Sequence, residues 1–252
     1  TYEGTCEPVD FDELAAFCLR VLCPGGTLAM VIDAPMKDGV QSVTPYRVLC
    51  EWAALPGWAF RQLLVYGRGG VPGNTRGWFR RDHEPLLVFV RDGGEQVCAK
   101  ERIAGLARPK SERHGTTRTR TKRIVTGALI GSVSAENADV KHRGSVWWYG
   151  AVGHGVDPSA DTGHPATFAE AFALDAVNVW SNPGDLVVDP FAGSCTVGRA
   201  CQILGRRFIG SERVEKYHNI GLRRLRDLEA CERAAREKAE AVGQTSLFGG
   251  AK

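Results

Sequence analysis

The sequence predicts an α/β fold, one sizeable domain with an inserted basic segment, and three observations predict it. Residues 185–212 carry a strand–turn–helix–strand signature. Stretches of helical and strand period alternate over 10–90 and again over 167–230. Between 91 and 144 that periodicity lapses while cations accumulate. With 252 residues and 43% apolar content, the chain is long enough to bury a good core.

The signature reads DLVVDPFAGSCTVGRACQILGRRFIGSE. Leu186, Val187 and Val188 form an apolar run ending on Asp189, the pattern of a buried parallel strand. Residues 190–195 make a tight turn. Val197, Ala200, Cys201 and Leu204 then fall at i, i+3, i+4 and i+7, one face of a helix. Gly205 stands where that helix needs a left-handed residue to close, and a second short strand, Phe208-Ile209-Gly210, leads to Glu212. A small-residue turn at a helix N-terminus lets a ligand approach backbone N–H groups, and a carboxylate after the next strand can chelate two ribose hydroxyls. The ligand predicted is a nucleoside-containing cofactor. A dinucleotide fits poorly, because Gly193-Ser194-Cys195-Thr196-Val197-Gly198 puts Cys195 where G-x-G-x-x-G needs its second glycine. A positive φ at Cys195 would store roughly 1–3 kcal/mol of strain, and a glycine there would then tighten cofactor binding.

Charge is unevenly spread. Residues 91–144 hold twelve Lys and Arg against six Asp and Glu, a net of +6, whereas the whole chain is +3. Thr116, Thr117, Thr119 and Thr121 interleave with Arg113, Arg118, Arg120, Lys122 and Arg123, a mixture of cation and hydroxyl suited to DNA phosphates. A solvated loop is the alternative. The eight cysteines include no C-x-x-C pair, so they read as reduced core thiols and suggest no metal site. No apolar run approaches the roughly 20 residues of a membrane span, and the first residues lack a signal-peptide layout.

In chain order, Asp10 and Glu13 have the spacing of a capping box, and Leu14, Phe17, Cys18, Val21 and Leu22 trace one helical face. Cys23-Pro24-Gly25-Gly26 stops that helix before a strand over 27–32. Asp33-Ala34-Pro35-Met36 reads as a strand-ending turn. A helix over 43–55, strands over 58–66 and 86–90, and a glycine-rich loop over 67–77 follow. His83 and Glu84 lack ligand-spaced partners and read as a structural turn. Trp147, Trp148 and Tyr149 favour core packing over stacking against an extruded base. Thr167 and Glu170 suit a second capping box, for a helix lined by Phe168, Phe172, Ala176 and Val179. A final helix from about residue 214 buries Tyr217, Ile220, Leu225 and Leu228 and runs on, mostly solvated, to about 241.

DPFAGSCT at 189–196 resembles the DPFAGSGT S-adenosylmethionine motif of the DNA amino-methyltransferases, which methylate N6 of adenine or N4 of cytosine. HEPLLVF at 83–89, HPATF at 164–168, PGDLVVDPFAGS and GRRFIGSE extend the resemblance over most of the chain, in the order of the β class. It implies a doubly wound, Rossmann-like methyltransferase sheet, circularly rearranged so that the cofactor half comes last. The implied division is 1–91 for the catalytic-half strands and helices, 92–145 for the basic target-recognition insertion, 146–230 for the cofactor half and 231–252 for a helical extension and flexible tail. Residues 58–66 and 86–90 are expected as an antiparallel hairpin at the sheet edge.

The resemblance implies that Asp189, Pro190, Phe191, Ala192, Gly193, Ser194, Thr196 and Glu212 hold S-adenosylmethionine, with His164 and Thr167 near its methionine end. It implies double-stranded DNA as the partner, contacted at Arg113, Arg118, Arg120, Lys122 and Arg123, and a cytoplasmic protein of bacterial, archaeal or phage origin. A homodimer is compatible with it. Gln244-Thr245-Ser246-Leu247-Phe248 is similar to the peptide bound by bacterial replication clamps, a short motif that also recurs by chance. The family's catalytic [DSN]-P-P-[YFW] tetrapeptide does not occur; Asp33-Ala34-Pro35-Met36 looks superficially like it but follows a later strand, and the segment that should follow the tetrapeptide begins within ten residues of Thr1. No catalytic residue is therefore named, and the sheet is expected to show a gap or open edge beside the cofactor strand. A non-catalytic cofactor- and DNA-binding fragment is the main alternative, ahead of a small-molecule or protein methyltransferase.

Overall fold

The computed structural model describes residues 9–68, 79, 81–103, 120–123, 129–133, 143–149 and 169–230. His164, Thr167, Arg113, Arg118 and the 244–248 peptide lie outside them, as do the side chains of Arg120, Lys122 and Arg123.

Helix α1 (Phe11–Val21) starts at Asp10, whose carboxylate accepts from the amides of Asp12 and Glu13, both at 3.0 Å. It leads through the Gly25–Gly26 turn into β1 (Thr27–Val31). A small hairpin, β2 (Met36–Lys37) with β3 (Val40–Gln41), precedes α2 (Thr44–Ala53). Strands β4 (Trp58–Arg68) and β5 (His83–Arg91) pair antiparallel, with a bulge between Phe60 and Gln62. Beyond a 3-10 turn (Lys100–Arg102), β6 (Arg120–Arg123) and β7 (Leu129–Val133) form a separate antiparallel pair inside the basic segment. Then come β8 (Val146–Tyr149), α3 (Glu170–Trp180), β9 (Leu186–Asp189), α4 (Thr196–Ile203), β10 (Arg207–Gly210) and a helix over 215–230, α5.

The main sheet runs β1-β5-β4-β8, with β8 parallel to β4. The hairpin expected at the edge is therefore interior, since β1 flanks β5 and β8 flanks β4. On one face Leu87 and Phe89 meet α1 and α2 in a cluster with Ala15, Cys18, Val48, Trp52 and Trp58. On the other, Leu86 and Val88 join Leu64, Tyr66, Trp147, Tyr149, Phe172 and Val179. Trp147 and Tyr149 are thus core, as expected, whereas Trp148 turns out between them at 44% exposure.

A second, two-stranded sheet pairs β9 with β10 in parallel, Val187 opposite Phe208. Helix α3 joins the two sheets: Phe172 and Val179 enter the cluster of the main sheet, while Ala173 and Val177 pack against Ala200 and Cys201 of α4. Two expectations are corrected here. Strand β9 is covered on one face only, leaving Leu186 46% and Val188 38% exposed; among the described residues no strand pairs with its other edge. Helix α3 is capped by the backbone of Ala169 instead of Thr167, which puts Glu170 at the first helical position and frees its carboxylate for the contacts described below. The edge of β1 opposite β5 is also unpaired among the described residues.

Candidate cofactor site

Strand β9 delivers Asp189 to the mouth of a turn whose shape is set by backbone hydrogen bonds. Asp189 Oδ1 accepts from Phe191 N at 3.0 Å, and Ser211 N donates to the Asp189 carbonyl at 3.0 Å. Ala192 N donates to the Ser211 carbonyl at 2.8 Å, lashing the turn to the end of β10. Cys195 N returns to the Ala192 carbonyl at 2.7 Å, and Arg199 N then donates to the Cys195 carbonyl as the first bond of α4. Closing so tightly forces Gly193 to φ 51° and Cys195 to φ 58°, both left-handed. Glycine takes that conformation freely; cysteine does not. The strained alternative for Cys195 is the one the fold adopts.

Glu212 ties the second strand to the turn. One carboxylate oxygen accepts from Gly193 N at 3.0 Å and the other from Val214 N at 2.7 Å. The acid picked out at the end of β10 therefore lies against the turn picked out after β9, as a shared ligand requires. Burial pushes the Asp189 carboxyl upward, the Phe191 N–H pulls it back, and the nearby charge of Glu212 adds to the rise. Phe191 projects its ring outward at 60% exposure, whereas Ala192, Ser194, Cys195 and Thr196 are buried.

Two glycines make this closeness feasible. A β-carbon at Gly198 would stand 2.8 Å from the Phe208 ring, and one at Gly210 would stand 2.6 Å from it. Helix α4 thus sits directly on β10, the role of the third glycine in a nucleotide-binding turn. Gly221 of α5 meets the buried Cys195 thiol, since a β-carbon there would be 2.6 Å from Sγ. Three amides open the first turn of α4 with no intrahelical partner, and no side chain caps them at Cys195. Backbone donors and two carboxylates at the ends of two adjacent parallel strands suit a ligand carrying both anionic and hydroxyl groups.

The described candidates, Asp189 to Ser194 with Thr196 and Glu212, are all brought together. The hydroxyls of Ser194 and Thr196 point inward to Arg224, 3.1 and 3.2 Å from its Nη1, so these residues offer the ligand backbone in place of side chain. Sequence reasoning missed Arg224, Arg199 and Glu170. Glu170 accepts from Arg199 Nε at 2.9 Å and lies 3.6 Å from Arg224 Nη2. Nothing in the run LRRLRD distinguishes Arg224 from its neighbours except its helical phase, which sets it below the turn. At the other sheet, Arg81 pairs with Asp33 and donates to the Ala34 carbonyl at 3.1 Å, tying down the segment between β1 and β2.

Residues 10–223 match the model of a family described as DNA methylase. Over 146 residues the chain is 33% identical to the DNA adenine methyltransferase YhdJ of Escherichia coli (strain K12), covering 57% of this chain and 44% of that one. The chain thus spans less than half of that relative's length. Among solved structures, the M1.HpyAVI–SAM complex superposes with a TM-score of 0.57 at 20% identity, over 87% of this chain and 85% of that one. The cytosine-N4-specific PvuII DNA methyltransferase gives 0.60 at 13% identity, over 88% and 74%. These two likenesses concern the fold.

Proposed function

The chain belongs to the DNA methylase family, and we propose that it forms the cofactor-holding and DNA-contacting body of an enzyme that transfers a methyl group from S-adenosylmethionine to an exocyclic amine of DNA, N6 of adenine or N4 of cytosine. The observation that carries this reading is the bond from Gly193 N to Glu212, which joins the turn and the acid into one pocket wall. Glu212 has lone pairs left for ribose hydroxyls, residues 191–196 present backbone, and Asp189 borders the same opening. S-adenosylmethionine supplies an electrophilic methyl group on a sulfonium. His164 and Thr167 keep the role at its methionine end that the resemblance implies.

Transfer to a ring-conjugated amine also needs acceptors that hold the NH2 hydrogens, after the base has left the duplex. No tetrapeptide of that kind occurs in the 252 residues. We assign it to a strand lying between β9 and β1, each of which has an edge without a partner among the described residues. The same observation favours a second reading, a chain that binds cofactor and DNA without catalysing transfer. Residues 92–145 are assigned to DNA, with Arg113, Arg118, Arg120, Lys122 and Arg123 on phosphates. The 244–248 peptide is assigned to a replication clamp.

Calorimetry with S-adenosylmethionine and with NAD tests the pocket: one equivalent of the first should bind and the second should not. Failure to bind S-adenosylmethionine would end the reading. Neutralising Arg118, Arg120, Lys122 and Arg123 together should flatten the salt dependence of DNA affinity, by roughly 0.9 in log–log slope for each phosphate no longer neutralised. An unaltered slope would return the segment to solvent.

A further inference from the structure

We propose that Arg224 is a positioning residue of the cofactor site, holding the Ser194–Cys195 peptide so that the turn keeps its left-handed residues before any ligand arrives. The inference rests on the cofactor reading above. Helix α5 passes so near the turn that only glycine fits at position 221 against the Cys195 thiol. One helical turn on, Arg224 directs Nη1 at the carbonyl and hydroxyl of Ser194 and at the hydroxyl of Thr196. Its guanidinium therefore grips the residues on both sides of Cys195, one of two described non-glycine residues with positive φ.

The grip is itself braced. Glu170 of α3 stands between the two arginines, bonded to Arg199 Nε at 2.9 Å and 3.6 Å from Arg224 Nη2. Arg199 of α4 closes the triangle by donating to the Arg224 carbonyl at 3.1 Å. Three helices thus converge beneath one turn. The three side chains are largely removed from water, Arg224 to 11% exposure, so a guanidinium held there resists displacement. With the Ser194 carbonyl drawn toward Arg224, the following N–H faces the Ala192 carbonyl, which closes the turn at 2.7 Å. Loosening the guanidinium frees that peptide to rotate. Cys195 would then return to right-handed backbone, and the ligand would have to restore the left-handed form on binding.

A double-mutant cycle tests this, with Arg224→Lys and Cys195→Gly measured singly and together by calorimetry with S-adenosylmethionine. Lysine keeps the charge but loses the fork. Arg224→Lys should weaken binding about tenfold with Cys195 present. With glycine at 195 the left-handed form is free, and the same change should cost less than about threefold. Amide hydrogen exchange across 192–196, measured without ligand, should accelerate in Arg224→Lys while α1 and β5 remain protected. Arg224→Ala should show a larger loss wherever it folds, with lysine restoring part of it. Equal losses in both backgrounds, or unchanged exchange at the turn, would overturn the assignment. Wild-type protein that binds no S-adenosylmethionine would sink the cofactor reading, and the exchange arm would still decide whether Arg224 holds the turn.

Discussion

In the main sheet, β5 runs through the centre with Leu86, Leu87, Val88, Phe89 and Val90 all buried, successive side chains entering two different clusters. Trp52 stacks on Trp58 at 5.9 Å, and both rings meet Phe89. In the second sheet, β9 buries one face, and its organisation comes from polar contacts: Glu212 on Gly193, Arg224 on Ser194 and Thr196, Ser211 on Ala192. The first region is held by area and shape. The second is held by directed bonds around a turn that adopts unfavourable dihedrals. Hydrophobic burial tolerates exchange of similar volumes, whereas a directed network fails when one member is removed. The difference separates the part that makes the chain fold from the part proposed to hold its ligand.

The widest gap between the two should appear in catalysis. The wall proposed to hold the cofactor is present, whereas the acceptors that orient the amine are assigned to a strand beyond the edges of β9 and β1. Positioning of this sort contributes ~7–11 kcal/mol in favourable cases, so residues 1–252 alone should fall many powers of ten short of a working enzyme. Tritiated methyl transfer to mixed-sequence DNA measures this beside cofactor calorimetry. Robust transfer would relocate the missing group into this chain. Asp33→Ala, at the turn after β1, would then be the first variant to make.

Stability should divide the other way. Phe89→Ala opens a cavity among Trp52, Trp58 and Phe60 and should cost ~3–5 kcal/mol by denaturant unfolding. Val188→Ala, on the half-open strand, should cost ~1 kcal/mol or less, because little of that side chain leaves water on folding. Comparable losses at both sites would mean that β9 is covered in solution by something the described residues do not include.

The same contrast governs what could be read from sequence. Strand period, turn chemistry and helix phase are local, and they placed β9, the turn, α4 and Gly205 at φ 71°. The degree of burial was not local. Leu186-Val187-Val188 has the composition of a strand buried on both faces, yet burial depends on which neighbours arrive. Four residues of β8 carry no sign that they pair in parallel with β4, more than seventy residues earlier. Nor does Glu170 announce that it braces two arginines; at capping-box spacing it looked like a local cap. Long-range polar contacts leave no period.

Within the cofactor region, Glu212→Ala should be the strongest single loss. A hydrogen bond to a charged group contributes ~1.5–3 kcal/mol, so S-adenosylmethionine affinity should fall about tenfold or more. The unfolding midpoint should move little, because the carboxylate is only half-buried. Unchanged affinity by calorimetry would remove Glu212 from the site and leave its bonds to Gly193 and Val214 as turn structure alone.

Cys195→Gly should have the smallest effect, and the fold changes what was expected of it. Glycine removes a left-handed penalty of roughly 1–3 kcal/mol. It also frees the unfolded chain, worth ~0.4–1 kcal/mol against folding, and strips a buried thiol from Gly221, worth ~1 kcal/mol. These terms offset, so the unfolding midpoint should shift by only a few degrees. The stored strain would tighten binding only if the free turn relaxed and the ligand had to rebuild it. With Cys195 at φ 58° and Arg224 gripping both neighbours, the proposed brace keeps the turn left-handed with or without ligand, so the strain should be the same in both states. Affinity for S-adenosylmethionine should therefore change by less than about twofold. A tenfold tightening would show that the free turn leaves its left-handed form despite Arg224, and the cofactor region would then be shaped by its ligand, unlike the sheet beside it.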